Sequence, residues 1–155
     1  KIFLVEDNSQ SIFSKINENY LGEIGDFSAY SFQTTKVIAS GEGGLISCSN
    51  KENLKLIRNF ISFGKSNTNG LLFDNESGNF KLSELNAAFA LMDLERSIER
   101  LGRRKSLDLI YKEKLNSNVC NYLEPPQGNS PSFYKSILMS KNCFIKTWRI
   151  ALRRF

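Results

Sequence analysis

The chain has 155 residues, 41% hydrophobic and 24% charged, a composition that suits one packed domain and not a disordered segment. Its 21 basic and 16 acidic residues leave a net charge of +5, too mild to name a partner. There is no histidine, so the chain supplies no Ser-His-Asp triad, no HExxH zinc site and no imidazole acid or base.

Cys48, Cys120 and Cys143 are widely spaced and include no CxxC pair, which argues against a zinc knuckle or a disulfide framework. They read as three reduced thiols in a cytoplasmic protein. No uncharged stretch approaches the roughly 18 apolar residues of a membrane span. The chain opens on Lys1, not Met, and runs at once into an apolar segment, so the expectation is a piece of a longer protein.

Ile2, Phe3, Leu4 and Val5 form a continuous apolar run that suits a strand buried on both faces of a parallel sheet. Glu6 and Asp7 end it, and a carboxylate there is either at the ligand-binding edge of an α/β sheet or an ordinary solvated strand end. Residues 8–26 read as a short turn or helix and a loop. Residues 27–32 (Phe-Ser-Ala-Tyr-Ser-Phe) read as a second strand, and 45–48 as a third after the turn Gly41-Glu42-Gly43-Gly44. Asn50 is a candidate N-cap for a helix carrying Leu54, Ile57 and Ile61, with Gly64 as its stop. A loop follows, and Ser83-Glu84 starts one long helix whose stripe is Leu91, Leu94, Ile98 and Leu101, bent at most at Gly102 and ending near Lys114. Pro125, Pro126 and Pro131 mark an extended connector before a strand within residues 133–139.

Several familiar chemistries fail on inspection. Gly64-Lys65-Ser66 lacks the earlier glycine of a phosphate loop, because position 59 is Asn59, and it follows a helix where a strand is required. The Gly41–Gly44 turn is no dinucleotide fingerprint. The basic and aromatic tail (Lys146, Trp148, Arg149, Arg153, Arg154) reads as a solvated face before it reads as a nucleic-acid site. Lys36 alone is an ordinary surface lysine. With Asp7 ending another strand and the hydroxyls of Ser31, Thr34 and Thr35 nearby, it matches the protein half of a pyridoxal phosphate (PLP) site, which needs an amine, an acid and phosphate donors.

Four blocks then fall in order at close spacing: Val5-Glu6-Asp7-Asn8-Ser9-Gln10, Gly22-Glu23-Ile24-Gly25-Asp26, Ser31-Phe32-Gln33-Thr34-Thr35-Lys36 and Gly41-Glu42-Gly43-Gly44. Residues 77–88 (Ser-Gly-Asn-Phe-Lys-Leu-Ser-Glu-Leu-Asn-Ala-Ala) add a fifth. Jointly the series resembles the DegT/StrS-type nucleotide-sugar aminotransferases, over about residues 2–139; Lys81 stands where that family commonly has Arg. The resemblance implies an α/β fold, part of an aspartate aminotransferase-like (fold type I) large domain with the beginning of the small C-terminal domain. On that basis residues 1–115 are the lysine-bearing part and exit helix, 116–139 start the small domain, and 140–155 stay unassigned.

By the same resemblance, Lys36 would hold PLP as an internal aldimine and move the proton, and Asp7 would pair with the pyridine nitrogen. Gln10 would lie against the cofactor, Ser31 would donate to its phosphate, and Asn79 would reach the phosphate of a partner subunit's cofactor in a homodimer. No metal is implied. Lysine at position 36, where related sugar dehydratases have His, argues for transamination, with an amino-acid donor such as glutamate and a nucleotide-sugar acceptor. The alternatives are an inactive remnant or interaction module and a basic nucleic-acid binder. Full-length relatives carry a long upstream part, so the isolated piece is expected to be poorly stable, to bind PLP weakly and not to turn over.

Overall fold

The computed structural model describes residues 2–64, 76–115 and 120–140. The terminal basic cluster, Cys143 and Lys65 lie outside these residues. Among the described residues, eleven elements run in the order β1 (Val5–Asp7), β2 (Lys15–Ile16), β3 (Asn19–Tyr20), β4 (Phe27–Ser31), β5 (Gly44–Cys48), α1 (Lys51–Ile61), α2 (Glu84–Glu95), α3 (Ser97–Leu115), β6 (Cys120–Tyr122), β7 (Asn129–Ser130) and β8 (Leu138–Ser140).

Three small sheets result, ordered β1-β4-β5, β3-β2-β7 and β6-β8. β1 pairs parallel with β4, with Asp7 opposite Ala29. β5 runs antiparallel to β4, contrary to the expectation of a parallel sheet. The reason is the connection: residues 32–43 hold no helix to carry a crossover, so the chain turns back on itself. Gly43, at φ +133, lets Phe32 N–H donate to its carbonyl (2.8 Å) and close that turn.

The apolar run at 2–5 is not a buried strand. β1 begins only at Val5, where it has a single neighbour, β4, and Ile2 is 96% exposed. Residues 8–26 contain the β2–β3 ribbon in addition to turns, and β7 returns from far along the chain to pair with β2. The strand in 133–139 is confined to Leu138–Ser140.

Local capping chemistry decided the helix starts. Asn50 Oδ1 accepts the N–H groups of Glu52 and Asn53, and Ser83 Oγ accepts that of Asn86. Gly64, at φ +66, donates its N–H to Asn59 O and closes α1 as expected. The single long helix is corrected to two. It breaks at Arg96, where Ser97 Oγ donates to Leu94 O (2.5 Å), while Gly102 stays inside α3. The break disrupts the stripe: Leu91, Leu94 and Ile98 are exposed, and Ala90 is the residue of α2 that is buried. The core is Phe32, Ile38 and Ala90, backed by Ile12, Phe13 and Leu82.

Candidate functional site

The parallel pairing of β1 with β4 brings two strand ends together. Asp7 is the last residue of β1 and Ser31 the last of β4, so both stand at one edge, where parallel strands present their ligand-binding groups. From Ser31 the chain makes a tight turn in which Lys36 N–H donates to Gln33 O (2.9 Å) and Gln33 Oε1 accepts Thr35 N–H (2.9 Å).

Lys36 is half-buried, and its Nζ sits 5.4 Å from the centre of the Tyr134 ring. The Tyr134 hydroxyl lies 3.2 Å from Thr35 Oγ1. The Asp7 carboxyl is held below its ordinary range, first by the Ser9 hydroxyl and N–H, and also by the positive charge of Lys36. Asp7 Oδ1 accepts the Ser9 N–H at 3.0 Å. Asp7 thus stays a carboxylate near a lysine, and Ser31 Oγ, accepting Gln33 N–H at 3.4 Å, keeps its own proton to donate.

The other two expected residues are Gln10 and Asn79, the latter expected to serve a partner subunit's cofactor. Gln10 lies exposed in the turn after β1, where its backbone carbonyl accepts the Ser132 hydroxyl (3.3 Å). Asn79 is exposed beyond α1, bridged to Ser62, and is not joined to Asp7, Ser31 or Lys36 by any hydrogen bond among the described residues.

Around this edge are supports that periodicity did not single out. Buried Asn8 donates to Ser28 Oγ (2.6 Å) and accepts from the Ser11 hydroxyl (2.5 Å), locking the end of β1 to β4. Glu6, on the opposite face from Asp7, accepts the N–H groups of Gly22 (2.7 Å), Ile24 (3.0 Å) and Gly25 (2.6 Å). Burial pulls its pKa up, but those backbone donors and Asn8 outweigh that and hold it low. The second sequence block therefore has a concrete role as the cradle of the Glu6 carboxylate.

Behind Lys36, Asp93 Oδ2 accepts Ala39 N–H (2.8 Å) and Asp93 Oδ1 pairs with Arg100 (2.7 Å). Arg100 also donates to Val37 O (3.2 Å) and Asp93 O (3.0 Å). In front, Arg104 donates to Phe133 O (3.3 Å), while buried Asp108 accepts the hydroxyls of Tyr122 (2.5 Å) and Ser136 (2.6 Å). The segment carrying Tyr134 is thereby fastened to α3. Tyr134, Asp93, Arg100 and Asp108 carry no local sequence signal, since each acts on residues far along the chain. Among the described residues no group of three or more acidic or cysteine side chains gathers to hold a metal, and no helix is long and apolar enough to cross a membrane.

Comparison with known proteins places the chain in a family. The chain is 35% identical over 130 residues to the dTDP-4-amino-4,6-dideoxy-D-glucose transaminase of Shigella dysenteriae, covering 84% of this chain and 32% of that protein. It is 30% identical over 118 residues to the GDP-perosamine synthase of Escherichia coli O157:H7, covering 76% of this chain and 32% of the relative. This chain therefore spans about a third of the length of the curated relatives it matches. A DegT DnrJ EryC1 StrS aminotransferase from Brucella abortus superposes with a TM-score of 0.80 at 28% identity, over 90% of this chain and 37% of that one. Residues 1–152 match the model of the DegT/DnrJ/EryC1/StrS aminotransferase family, and the chain belongs to that family.

Proposed function

We propose that this chain is the lysine-bearing part of a PLP-dependent aminotransferase that moves an amino group, from glutamate, onto a keto-sugar carried by a nucleotide. One observation carries the reading: Asp7 and Ser31 end a parallel strand pair side by side, and Lys36 follows Ser31 in the turn that leaves this edge, its charge helping to hold the Asp7 carboxyl low. Aminotransferases of this family are PLP-dependent, and the relatives' names supply the class of substrate.

The donor set fits that group. When bound, PLP supplies an aldehyde for an amine and a pyridine ring that withdraws electrons from the substrate carbon. Lys36 Nζ would be the amine that holds it and would carry a proton at that atom when free. Asp7, kept ionised by Ser9 and Lys36, would accept the ring N–H and favour the protonated ring through the attraction of opposite charges. Ser31 would donate its hydroxyl to the phosphate. The Tyr134 ring covers one flank of the Lys36 amine. On this reading residues 1–115 form part of the large domain and 116–139 begin the small one; β6 and β8 make a sheet of their own, while β7 between them pairs back onto β2.

The test uses the protein expressed from its complete reading frame. With PLP added, it develops a visible absorption band, borohydride fixes the cofactor on the peptide containing Lys36, and Lys36→Ala abolishes both. Fixation on another lysine, or none, overturns the reading.

A further inference from the structure

The segment after Lys36 is held from behind by one carboxylate–guanidinium pair. Asp93 ends no strand and lies 54 residues from the backbone it grips, yet its two oxygens are divided between Ala39 N–H (2.8 Å) and Arg100 (2.7 Å). Arg100 divides its donors in turn between Asp93 and Val37 O. The carbonyl of Val37 and the amide of Ala39 bracket Ile38, and the Val37 and Ile38 side chains are each 3% exposed. The Arg100 hydrogen bond keeps the Asp93 carboxyl ionised below its ordinary range, against the pull of burial.

We infer that Asp93 and Arg100 are positioning residues for Lys36: they clamp residues 37–39 and so aim the lysine amine at the strand edge shared with Asp7 and Ser31. The physical case is geometric. Ala39 is three residues from Lys36, and the intervening backbone has its carbonyl and amide fixed from α2 and α3. Freed of the clamp, that turn would keep its Gln33 and Gly41 contacts and the Ser40 N–H bond to Phe32 O, but residues 37 and 39 would lose the bonds that fix their carbonyl and amide. A charge-assisted bond to a backbone amide is also stronger than a neutral one, so the pair resists local opening. This inference rests on the aminotransferase reading of Lys36.

The experiment compares lysines within one molecule of the complete-reading-frame protein. Pyridoxal phosphate is added, condensation with an amine releases water, borohydride reduces the product to a stable secondary amine, and peptide mass spectrometry counts the label. In the native protein Lys36 is labelled in preference to Lys15 and Lys81. In Asp93→Ala the ratio of Lys36 to those two falls about tenfold, and the Ala39 amide exchanges with solvent about tenfold faster, the scale expected for losing one charge-assisted bond. Asp93→Asn keeps an acceptor for Ala39 N–H and restores most of the ratio. Asn50→Ala, which uncaps the remote helix α1, leaves the ratio unchanged, so a merely structural loss is told apart. Arg100→Gln carries the same expectation as Asp93→Ala should the latter not fold. Native preference for Lys36 that persists in both clamp variants overturns the inference alone; absence of that preference in the native protein overturns the aminotransferase reading and the inference with it.

Discussion

Replacing Asp108 by alanine removes the post that fastens the β6–β8 sheet and the Tyr134 segment to α3. The carboxylate is 6% exposed and accepts two hydroxyls, from Tyr122 on β6 and from Ser136 two residues past Tyr134. A hydrogen bond to a charged group is worth about 1.5–3 kcal/mol net, and removing the acceptor leaves both hydroxyls to find water. Part of that is returned because the buried charge no longer has to be desolvated. The expected cost is therefore about 2–4 kcal/mol for opening the β6–β8 sheet. At about 1.4 kcal/mol per factor of ten, amide exchange at residues 120–122 and 138–140 accelerates roughly 30- to 1,000-fold under native conditions. Tyr122→Phe removes one bond and costs about 1–2 kcal/mol, and combining the two substitutions is less than additive because they share that bond. Exchange in Asp108→Ala within threefold of the native protein would show that the sheet is held by other contacts and refute the reasoning.

Tyr122 offers a spectroscopic companion. Burial first, then the Asp108 hydrogen bond and charge, push its phenol up to about 12 from an ordinary value of 10.0. The folded phenol keeps its proton after an unfolded one has lost it, so its contribution is whole below pH 10.0 and drains away as pH rises through about 12. Ultraviolet titration should find one late-ionising tyrosine that returns toward the ordinary value in Asp108→Ala. Glu6 titrates on the acid side: its folded pKa is lowered from 4.5, so its stabilisation is present above that value and lost as pH falls through the lower one. Glu6→Gln should flatten the acid limb of a stability profile, and an unchanged limb would contradict the role of the 22–25 loop. Gly43→Ala is expected to destabilise by about 1–3 kcal/mol, because φ +133 suits only glycine and a Cβ would overlap Leu82, a change that denaturant titration reads directly. Asp7→Asn leaves Lys36 in place but removes the negative charge facing it, so the visible band of PLP-loaded protein should shift toward the spectrum of unprotonated cofactor.

Much of the framework was legible because its causes are local. Asn50 and Ser83 cap helices with their own side chains, and Gly43 and Gly64 supply backbone conformations that other residues resist. The strands 27–31 and 44–48 are β-rich runs bounded by glycine. The ordered blocks around Asp7, Ser31 and Lys36 named the family before any geometry existed, since each block is short and contiguous. The helix break at Arg96 and the β2–β7 pairing were not legible. A serine–carbonyl bond has no hydrophobic period, and strands of two residues leave no pattern to read.

Composition alone only excluded chemistries, those needing histidine or a cysteine pair, while the class of chemistry expected came from the resemblance carried by the ordered blocks. The sequence was also enough to say which residues lie at strand ends and helix starts, where the deciding contacts span a few positions. Tertiary structure alone decided what surrounds the lysine: Tyr134 from 98 residues beyond it, the Asp93–Arg100 clamp behind it, and Asp108 holding the covering segment. These are single polar contacts between distant segments, and their energy depends on distance and burial that exist only once the chain has closed on itself.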